Sequence, residues 1–329
     1  MGRAPILYLK EISYPILAVF GVPANLMTAV ILSRGKCGLS RGITRYMVAM
    51  AISDLLVLTF HVLLQHIFTY HFPKSFLFHT AVCPSYTYMK IIILDCSVWL
   101  TVSFTFDRFV SICCQKLKLR YCTERTAAVV ILTMWVLSCL KYVPFHFMYE
   151  PRFVIDNVPW GCRPKAVFFT YPAWVAFSWI CSLSTSLLPF FLILLFNGLT
   201  IRHILAASKV RRALKGLSGG QNHGDSETEN RHKSIVLLFS VTGSYILLWM
   251  TATVTYMFTK ITTNVLDQNH TSPAYIANHV GVVLMLTSSC ANTCIYGMTQ
   301  CKFREEVKNA VTYLPVRVIK LIKLKLQSG

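Results

Sequence analysis

Residues 98–114 read VWLTVSFTFDRFVSICC, an apolar run in which an acid and a base, Asp107 and Arg108, stand side by side. An ionised side chain at the centre of a membrane-spanning helix costs roughly 2.5–3.5 kcal/mol, so such a residue usually has a function. The alternative is that Arg108 reaches the membrane surface and pairs locally with Asp107. A lysine-rich segment follows, so we expect the pair at the inner end of a span.

Similar apolar runs fill the rest of the chain. Of its 329 residues, 54% are hydrophobic and 14% are charged, against roughly 25% charged residues in ordinary globular domains. Each run reaches the ~20 residues that a helix needs to cross a bilayer. The expected spans, numbered one to seven, cover residues 12–34, 45–70, 80–114, 124–147, 170–205, 232–259 and 274–298. The sequence therefore predicts an all-α fold, a single seven-transmembrane helix bundle with a short amphipathic, interfacial helix from residue 301.

The net charge of +19 raises the question of nucleic-acid binding, and the positions of the cations answer it. If the amino end is outside, only seven of the 32 lysines and arginines fall in outer segments: Arg3, Lys10, Lys74, Arg152, Arg163, Lys165 and Lys260. This asymmetry follows the positive-inside rule. It predicts a multi-pass plasma-membrane protein with an extracellular amino terminus, contact with anionic membrane lipid, and no nucleic-acid partner.

Two further features agree with this orientation. The glycosylation sequon at Asn269 lies in the last outer segment. Of the twelve cysteines, Cys83 and Cys162 are the two in or beside outer segments, where thiols are oxidised. We expect these two to form a disulfide, with two free thiols as the alternative. The third inner segment, residues 206–232, contains a Gly- and Ser-rich stretch that is typical of a flexible loop.

Taken together, residues 12–306 resemble the rhodopsin-like (class A) G-protein-coupled receptors, because each span carries one of that family's markers. The markers are Asn25, Asp54, Cys83, Asp107-Arg108-Phe109, Trp135, Pro189, Trp249, Asn292 and Tyr296, with Phe303 opening the interfacial helix. The resemblance implies an extracellular ligand and a heterotrimeric G protein as partners. It assigns coupling to the G protein to Asp107, Arg108 and Tyr296.

Three stretches narrow the resemblance to one subgroup. They read GVPANLMTAVILS, LLVLTFHV and VWLTVSFTFDRFVSICC. They are similar to the orphan subgroup of G-protein-coupled receptors 139 and 142. That resemblance implies an aromatic amino acid or a short peptide as ligand, as in a neuropeptide-like receptor.

The chain departs from the family at several positions. Thr251 and Thr293 stand where the family usually has prolines, which removes the obvious cause of kinks in spans six and seven. Asn197 stands for a usual tyrosine in span five.

The foot of span six offers Arg231 and Lys233 where the family usually has an acid. We therefore expect Arg108 to lack its common cross-helix partner, an acid, and to depend on Asp107. This predicts a looser resting state with raised basal signalling.

Steps of three and four along span three place Thr87, Lys90, Leu94, Ser97, Thr101, Phe104 and Arg108 on one inward face. Ser97 then lies level with Asp54, Ser289 and Asn292. Oxygen groups of this kind suit a hard cation, and the family binds sodium in such a cluster. The alternative is a hydrogen-bonded polar core with a protonated Asp54. Apart from this sodium ion we expect no cofactor or metal.

The remaining charges within the spans suggest one ion pair and one ligand contact. We expect Asp95 to pair with Lys141, because pairing relieves the cost of a lone buried charge; a pair with Lys90 is the runner-up. Lys90 is then expected to receive the carboxylate of an anionic or zwitterionic ligand. Alternatively, Glu150 or Asp156 folds down and neutralises Lys90.

The expected ligand pocket is aromatic with few polar groups, as small-ligand sites are. Its residues are Thr87, Lys90, Ile91, Leu94, Ser178, Cys181, Trp249, Thr253, Tyr256 and His279.

An enzyme is not expected, since no catalytic constellation appears in the sequence. A polytopic transporter or channel is the alternative function, although it needs a continuous polar path. The inner half offers only Arg108 for such a path.

Overall fold

The computed structural model describes residues 5–72, 75–215, 225–262 and 272–312. Within these ranges, seven helices are long and apolar enough to cross a membrane, as the sequence predicted. Spans one to seven are Ile6–Ser33, Arg41–Phe68, Cys83–Cys113, Glu124–His146, Pro172–Val210, His232–Thr262 and Pro273–Thr299. A short helix over residues 301–312 follows span seven, and its Phe303 is buried.

Span one begins earlier than the predicted residue 12, because residues 5–11 are already helical. The helix starts at Pro5 and includes Lys10, whose Nζ donates to the Tyr275 hydroxyl of span seven, 3.2 Å away. This hydrogen bond gives the Lys10 ammonium group a partner. The helix can therefore include a charged residue that the sequence placed before the span.

The third inner segment is also more helical than predicted. The helix of span five continues to Lys215, and the helix of span six begins at Asp225. Residues 206–215 are rich in good helix formers, which favours this extension. Residues 216–224, with most of the Gly- and Ser-rich stretch, lie outside the described ranges.

Three spans deviate from regular α-helix. Span one contains the π-helical turn Leu17–Gly21, and span two is π-helical over Leu58–Phe68. The wider π turn changes which residues face inward, and such turns are frequent at functional sites. Span five is interrupted at Ser186 between the helices Pro172–Thr185 and Leu187–Lys215. Spans six and seven remain α-helical through the positions that lack the family's prolines.

Span three is the most enclosed of the seven spans. One buried cluster fills the outer half of the bundle around Leu58, Trp249 and Leu286. A second fills the inner half around Tyr46 and Phe104. Together these two clusters form the hydrophobic core of the bundle.

The second outer loop folds over the mouth of the bundle as a broken hairpin. Strand β1 (Tyr149–Glu150) pairs antiparallel with β4 (Arg163–Pro164), and β2 (Phe153–Ile155) pairs with β3 (Val158–Trp160). Asp156 and Asn157 make the tight turn with φ of 49° and 60°. The predicted disulfide between Cys83 and Cys162 is confirmed and ties this hairpin to the outer end of span three.

Candidate functional site

The acid–base pair of span three is buried at the inner end of the bundle. Asp107 is 1% exposed and Arg108 is 2% exposed. Arg108 Nε donates to Asp107 Oδ2 at 3.1 Å, and Arg108 Nη2 contacts the same oxygen. Arg108 Nη1 also donates to the hydroxyl of Ser234 in span six, 3.3 Å away. Arg108 thus pairs with Asp107 as expected, and its contact with span six is to a neutral serine rather than to the family's usual acid.

A cavity of about 450 Å³ opens beside Arg108 at the inner face. Its basic lining residues are Arg108, Lys118, Lys233 and Lys302, and no acid lines it within the described ranges. Burial, reinforced by the nearby Asp107, raises the pKa of the Cys122 thiol in this cavity to about 12. That cysteine is therefore a protonated, weakly reactive thiol at neutral pH.

Tyr296 and Asn197 are both buried and are not among the residues that line this cavity. Tyr296 does not line the cavity; its ring is fully buried and lies 6.3 Å from that of Phe303. Asn197, which replaces a tyrosine, donates instead to Thr242 Oγ1 at 2.9 Å and so joins spans five and six.

The predicted polar core is assembled in the middle of the bundle. Asp54 is 2% exposed, and it accepts from Ser97 Oγ at 3.2 Å and from Asn292 Nδ2 at 2.8 Å. Asn25 joins the group by donating to the Ser289 carbonyl oxygen at 2.8 Å. The Ser289 side chain lies beside Asp54. The structure therefore brings together the four residues that the inward face of span three implied.

A small cavity of about 10 Å³ adjoins Asp54. It is lined by Asp54, Ser97, Thr101, Val241, Ser244, Tyr245, Trp249, Ser288 and Asn292, so Ser288 rather than the predicted Ser289 faces it. Its volume matches the space that one water molecule needs. Oxygen donors around a space of this size fit one sodium ion or one water molecule.

A larger cavity of about 520 Å³ occupies the outer half of the bundle. Nine of the ten predicted pocket residues line it: Lys90, Ile91, Leu94, Ser178, Cys181, Trp249, Thr253, Tyr256 and His279. Thr87 does not line it, because its hydroxyl points to the disulfide and lies 4.0 Å from Cys162 Sγ. Trp249 forms part of the floor, where its Nε1 donates to Ser288 Oγ at 2.8 Å.

Lys90 lies half-buried in the wall of the outer cavity. Its Nζ donates to Gln65 Oε1 at 2.5 Å and lies 5.6 Å from the ring centre of Tyr86. Glu150 accepts from Arg163 at 2.9 Å on the outer loop. The alternative in which Glu150 neutralises Lys90 is therefore wrong, and Asp156 forms the exposed turn of the hairpin.

A buried network joins spans three, four and five behind the same cavity. Asp95 accepts from Lys141 Nζ at 2.6 Å, from Ser138 Oγ at 2.7 Å and from Thr185 Oγ1 at 2.7 Å. The Tyr142 hydroxyl lies 2.7 Å from Thr185 Oγ1. The predicted pair of Asp95 and Lys141 is confirmed, and Tyr142 and Thr185 connect it to the cavity wall.

Lys260 was counted among the outer cations, but it belongs to span six. Its Nζ folds back to span five, where it donates to Ser178 Oγ at 2.8 Å and to Ser182 Oγ at 2.5 Å. It also lies 5.1 Å from the ring centre of Trp179. Both serines line the outer cavity, so Lys260 stands one layer behind that wall.

The sequence reasoning missed one whole wall of the cavity. His61, Gln65 and His66 of span two line it, and His61 Nε2 lies 3.3 Å from the Lys90 carbonyl oxygen. These residues lie in the π-helical part of span two, where α-helical spacing assigns the faces wrongly. Three polar side chains in an otherwise apolar run were the available signal. The predicted glycosylation site, Asn269, lies outside the described ranges.

Comparison with known proteins agrees with this architecture. Residues 24–296 match the family described as 7 transmembrane receptor (rhodopsin family). The somatostatin receptor type 4 of Rattus norvegicus is 25% identical over 91% of this chain and 71% of its own length. The C-C chemokine receptor type 8 of Mus musculus is 26% identical over 93% of this chain and 79% of its own length. Members of this family are membrane receptors and not enzymes. The chain therefore belongs to the rhodopsin family of seven-transmembrane, G-protein-coupled receptors.

Proposed function

We propose that the protein is a cell-surface receptor that binds a small anionic or zwitterionic ligand in the outer cavity. It then activates a heterotrimeric G protein at the inner cavity, with its amino terminus outside the cell. The observation that carries this proposal is a pair of cavities at opposite ends of a packed bundle. The outer one contains Lys90, and the inner one contains Arg108. The two relatives, named as receptors for somatostatin and for C-C chemokines, support a receptor for an extracellular ligand.

Within the family, we assign the chain to the orphan subgroup of receptors 139 and 142. The three stretches that resemble this subgroup lie in the second half of span one, across the start of the π-helical part of span two, and at the end of span three. Aromatic amino acids and short peptides are the ligands that the resemblance implies. Trp249, Tyr256 and Phe145 give the outer cavity an aromatic lining that suits such ligands.

Between spans three and six, the resting state is held by a hydrogen bond rather than by an ion pair. Arg108 reaches span six only through the neutral Ser234 among the described contacts. Because the Arg108 guanidinium is charged, this hydrogen bond stabilises by about 1.5–3 kcal/mol, and its 3.3 Å length places it at the lower end. Such a latch supports a basal activity above zero, because the inactive packing is only weakly favoured.

Sodium is the ion that the family binds at this level of the bundle. Asp54 and Ser97 would hold it here, with Asn292, Ser288 and Thr101 around the small cavity. A bound cation would stabilise the packing in which Asp54 keeps these neighbours, and so would oppose agonist binding. The polar-core alternative, with a protonated Asp54, predicts no effect of sodium.

The proposal is tested by an agonist screen of aromatic amino acids and short peptides against a panel of G-protein biosensors in cells. Lys90→Gln is expected to weaken agonist potency at unchanged surface expression. Lys165→Gln is the matched control, because Lys165 bonds to the Phe147 carbonyl on the outer loop and does not line the cavity. Unchanged potency in Lys90→Gln would show that Lys90 does not bind the agonist. If the protein gives no G-protein response and instead transports a solute, the proposed receptor function is refuted.

A further inference from the structure

The outer cavity is lined by a positive charge and, among the described residues, by no negative one. Lys90 is its charged lining residue, the histidines His61, His66 and His279 also line it, and no aspartate or glutamate lines it in the described part of the chain. Lys90 is balanced there by the neutral Gln65 oxygen and the Tyr86 ring rather than by a carboxylate. A carboxylate arriving from outside therefore gains a charge-assisted hydrogen bond.

Asp95 is the nearest acid behind the cavity wall, and it is already fully engaged. The side chain is 1% exposed, and its oxygens accept from Lys141, Ser138 and Thr185 at 2.6–2.7 Å. A ligand ammonium group would have to displace Lys141 to reach it. The pair of Asp95 and Lys141 therefore has no net charge and offers no free carboxylate to the ligand.

The wall on the side of span five is also electropositive. Ser182 uses its hydroxyl proton on the Ser178 carbonyl oxygen at 2.7 Å, and its oxygen accepts from Lys260. The Tyr256 hydroxyl lies 2.8 Å from Ser182 Oγ, and it must donate because the Ser182 proton is already used. The Ser182 oxygen is thus occupied by Lys260 and Tyr256, and this wall offers a ligand ammonium group only neutral hydroxyl oxygens and no carboxylate.

Between these two walls the lining is mostly apolar. Ile91, Leu94, Val282 and Met285 line this part together with Trp249. Such a surface suits a flat aromatic body whose charge lies at one end.

We infer that the ligand of the outer cavity is an aromatic or other apolar acid without an ammonium group. Lys90 and Gln65 hold its carboxylate. This inference rests on the proposed function, because it names the ligand class of the cavity assigned there. It resolves the choice between an anionic and a zwitterionic ligand in favour of the anion, and so departs from the aromatic amino acids that the subgroup resemblance implies. The physical reason is that an ammonium group would lose its hydration here and gain no acid in return.

Two matched series of compounds test the inference. One consists of 3-phenylpropanoate, phenylalanine and 2-phenylethylamine. The other consists of the acid, amino acid and amine that have the same side chains on an indole ring instead of the phenyl ring. The measurement is the dissociation constant from ligand-induced thermal stabilisation of the purified full-length receptor in nanodiscs. We expect each acid to bind at least tenfold tighter than the amino acid of its series, and neither amine to bind. Tighter or equal binding of the amino acids, or failure of both acids to bind, would overturn the inference.

Charge reversal at one position gives a sharper test. Lys90→Glu is expected to reverse the order, so that the amine binds tighter than the acid, whereas Lys165→Gln should keep the original order. Should Lys90→Glu fail to fold, Gln65→Glu places an acid next to Lys90 and is expected to lower acid binding at least tenfold. An unchanged preference for the acid in the folded variant contradicts the role of Lys90.

The binding assay contains no G protein, so the two proposals fail separately. An acid that binds preferentially but activates no G protein would refute the proposed function and keep the inference. An amino acid that activates the receptor while the acids do not bind would keep the function and refute the inference.

Discussion

Removing the positive partner of the buried Asp95 is expected to give a large loss of stability. In Lys141→Met the Asp95 carboxylate stays buried at 1% exposure, while its 2.6 Å contact to an ammonium group disappears. Breaking a buried ion pair by removing one partner typically costs 3–5 kcal/mol. Ser138 and Thr185 still donate to Asp95, and the Lys141 side chain is 22% exposed. Both facts place the expected loss at the lower end, about 3 kcal/mol.

Thermal unfolding of the purified receptor measures this loss. At roughly 2–4 °C per kcal/mol, a loss of about 3 kcal/mol corresponds to a decrease of about 6–12 °C in Tm. A thiol-reactive dye suits the assay, because Cys96 and Cys181 are buried near the network and become reactive on unfolding.

The double variant Asp95→Asn/Lys141→Met is the control for the mechanism. Asparagine keeps an acceptor for the Ser138 and Thr185 hydroxyls while both charges are gone, so more than half of the loss should be recovered. If Lys141→Met unfolds within 2 °C of the wild type, or if the double variant is no more stable than the single one, the argument from the buried charge is refuted.

Three further predictions concern the interior of the bundle. Asp54→Asn should abolish any inhibition of agonist binding by sodium, measured in sodium against a large organic cation; persistent inhibition would place the ion elsewhere. Ser234→Ala should raise basal G-protein signalling about tenfold at equal surface expression, because it removes a hydrogen bond of about 1.5 kcal/mol to the charged Arg108; basal output equal to that of the wild type would exclude Ser234 as a latch. Gly281→Ala should lower the free energy of unfolding by an overpacking cost of about 1–3 kcal/mol, and so lower Tm, because the added Cβ would lie 2.7 Å from the Ala252 backbone. Gly243→Ala is its control, since its Cβ meets nothing within 4 Å, and equal effects of the two substitutions would contradict the close approach of spans six and seven.

The number of spans and the main polar contacts followed from the sequence, because charge inside a membrane is strongly constrained. Few acids and bases occur in the apolar runs, so Asp95 and Lys141 could be matched by elimination. The disulfide followed similarly, since only Cys83 and Cys162 fall at the outer face.

The parts that the sequence did not reveal depend on local backbone geometry and on side-chain reach. Assignment of helix faces assumes 3.6 residues per turn, and the π-helical part of span two breaks that assumption at Gln65. Long lysine side chains added a second error, because Lys260 reaches back to span five from a position that suggested solvent. Ser234 was overlooked as a partner of Arg108, because only acids were considered at the foot of span six.

GDP–GTP exchange on a purified heterotrimer, with the receptor reconstituted in nanodiscs, tests most directly whether Arg108 couples the bundle to a G protein. The wild type should accelerate exchange, and agonist should accelerate it further. Arg108→Ala should abolish the acceleration while binding the same agonist with unchanged affinity. Exchange that continues at the wild-type rate in Arg108→Ala would contradict the assignment of the inner cavity as the coupling site.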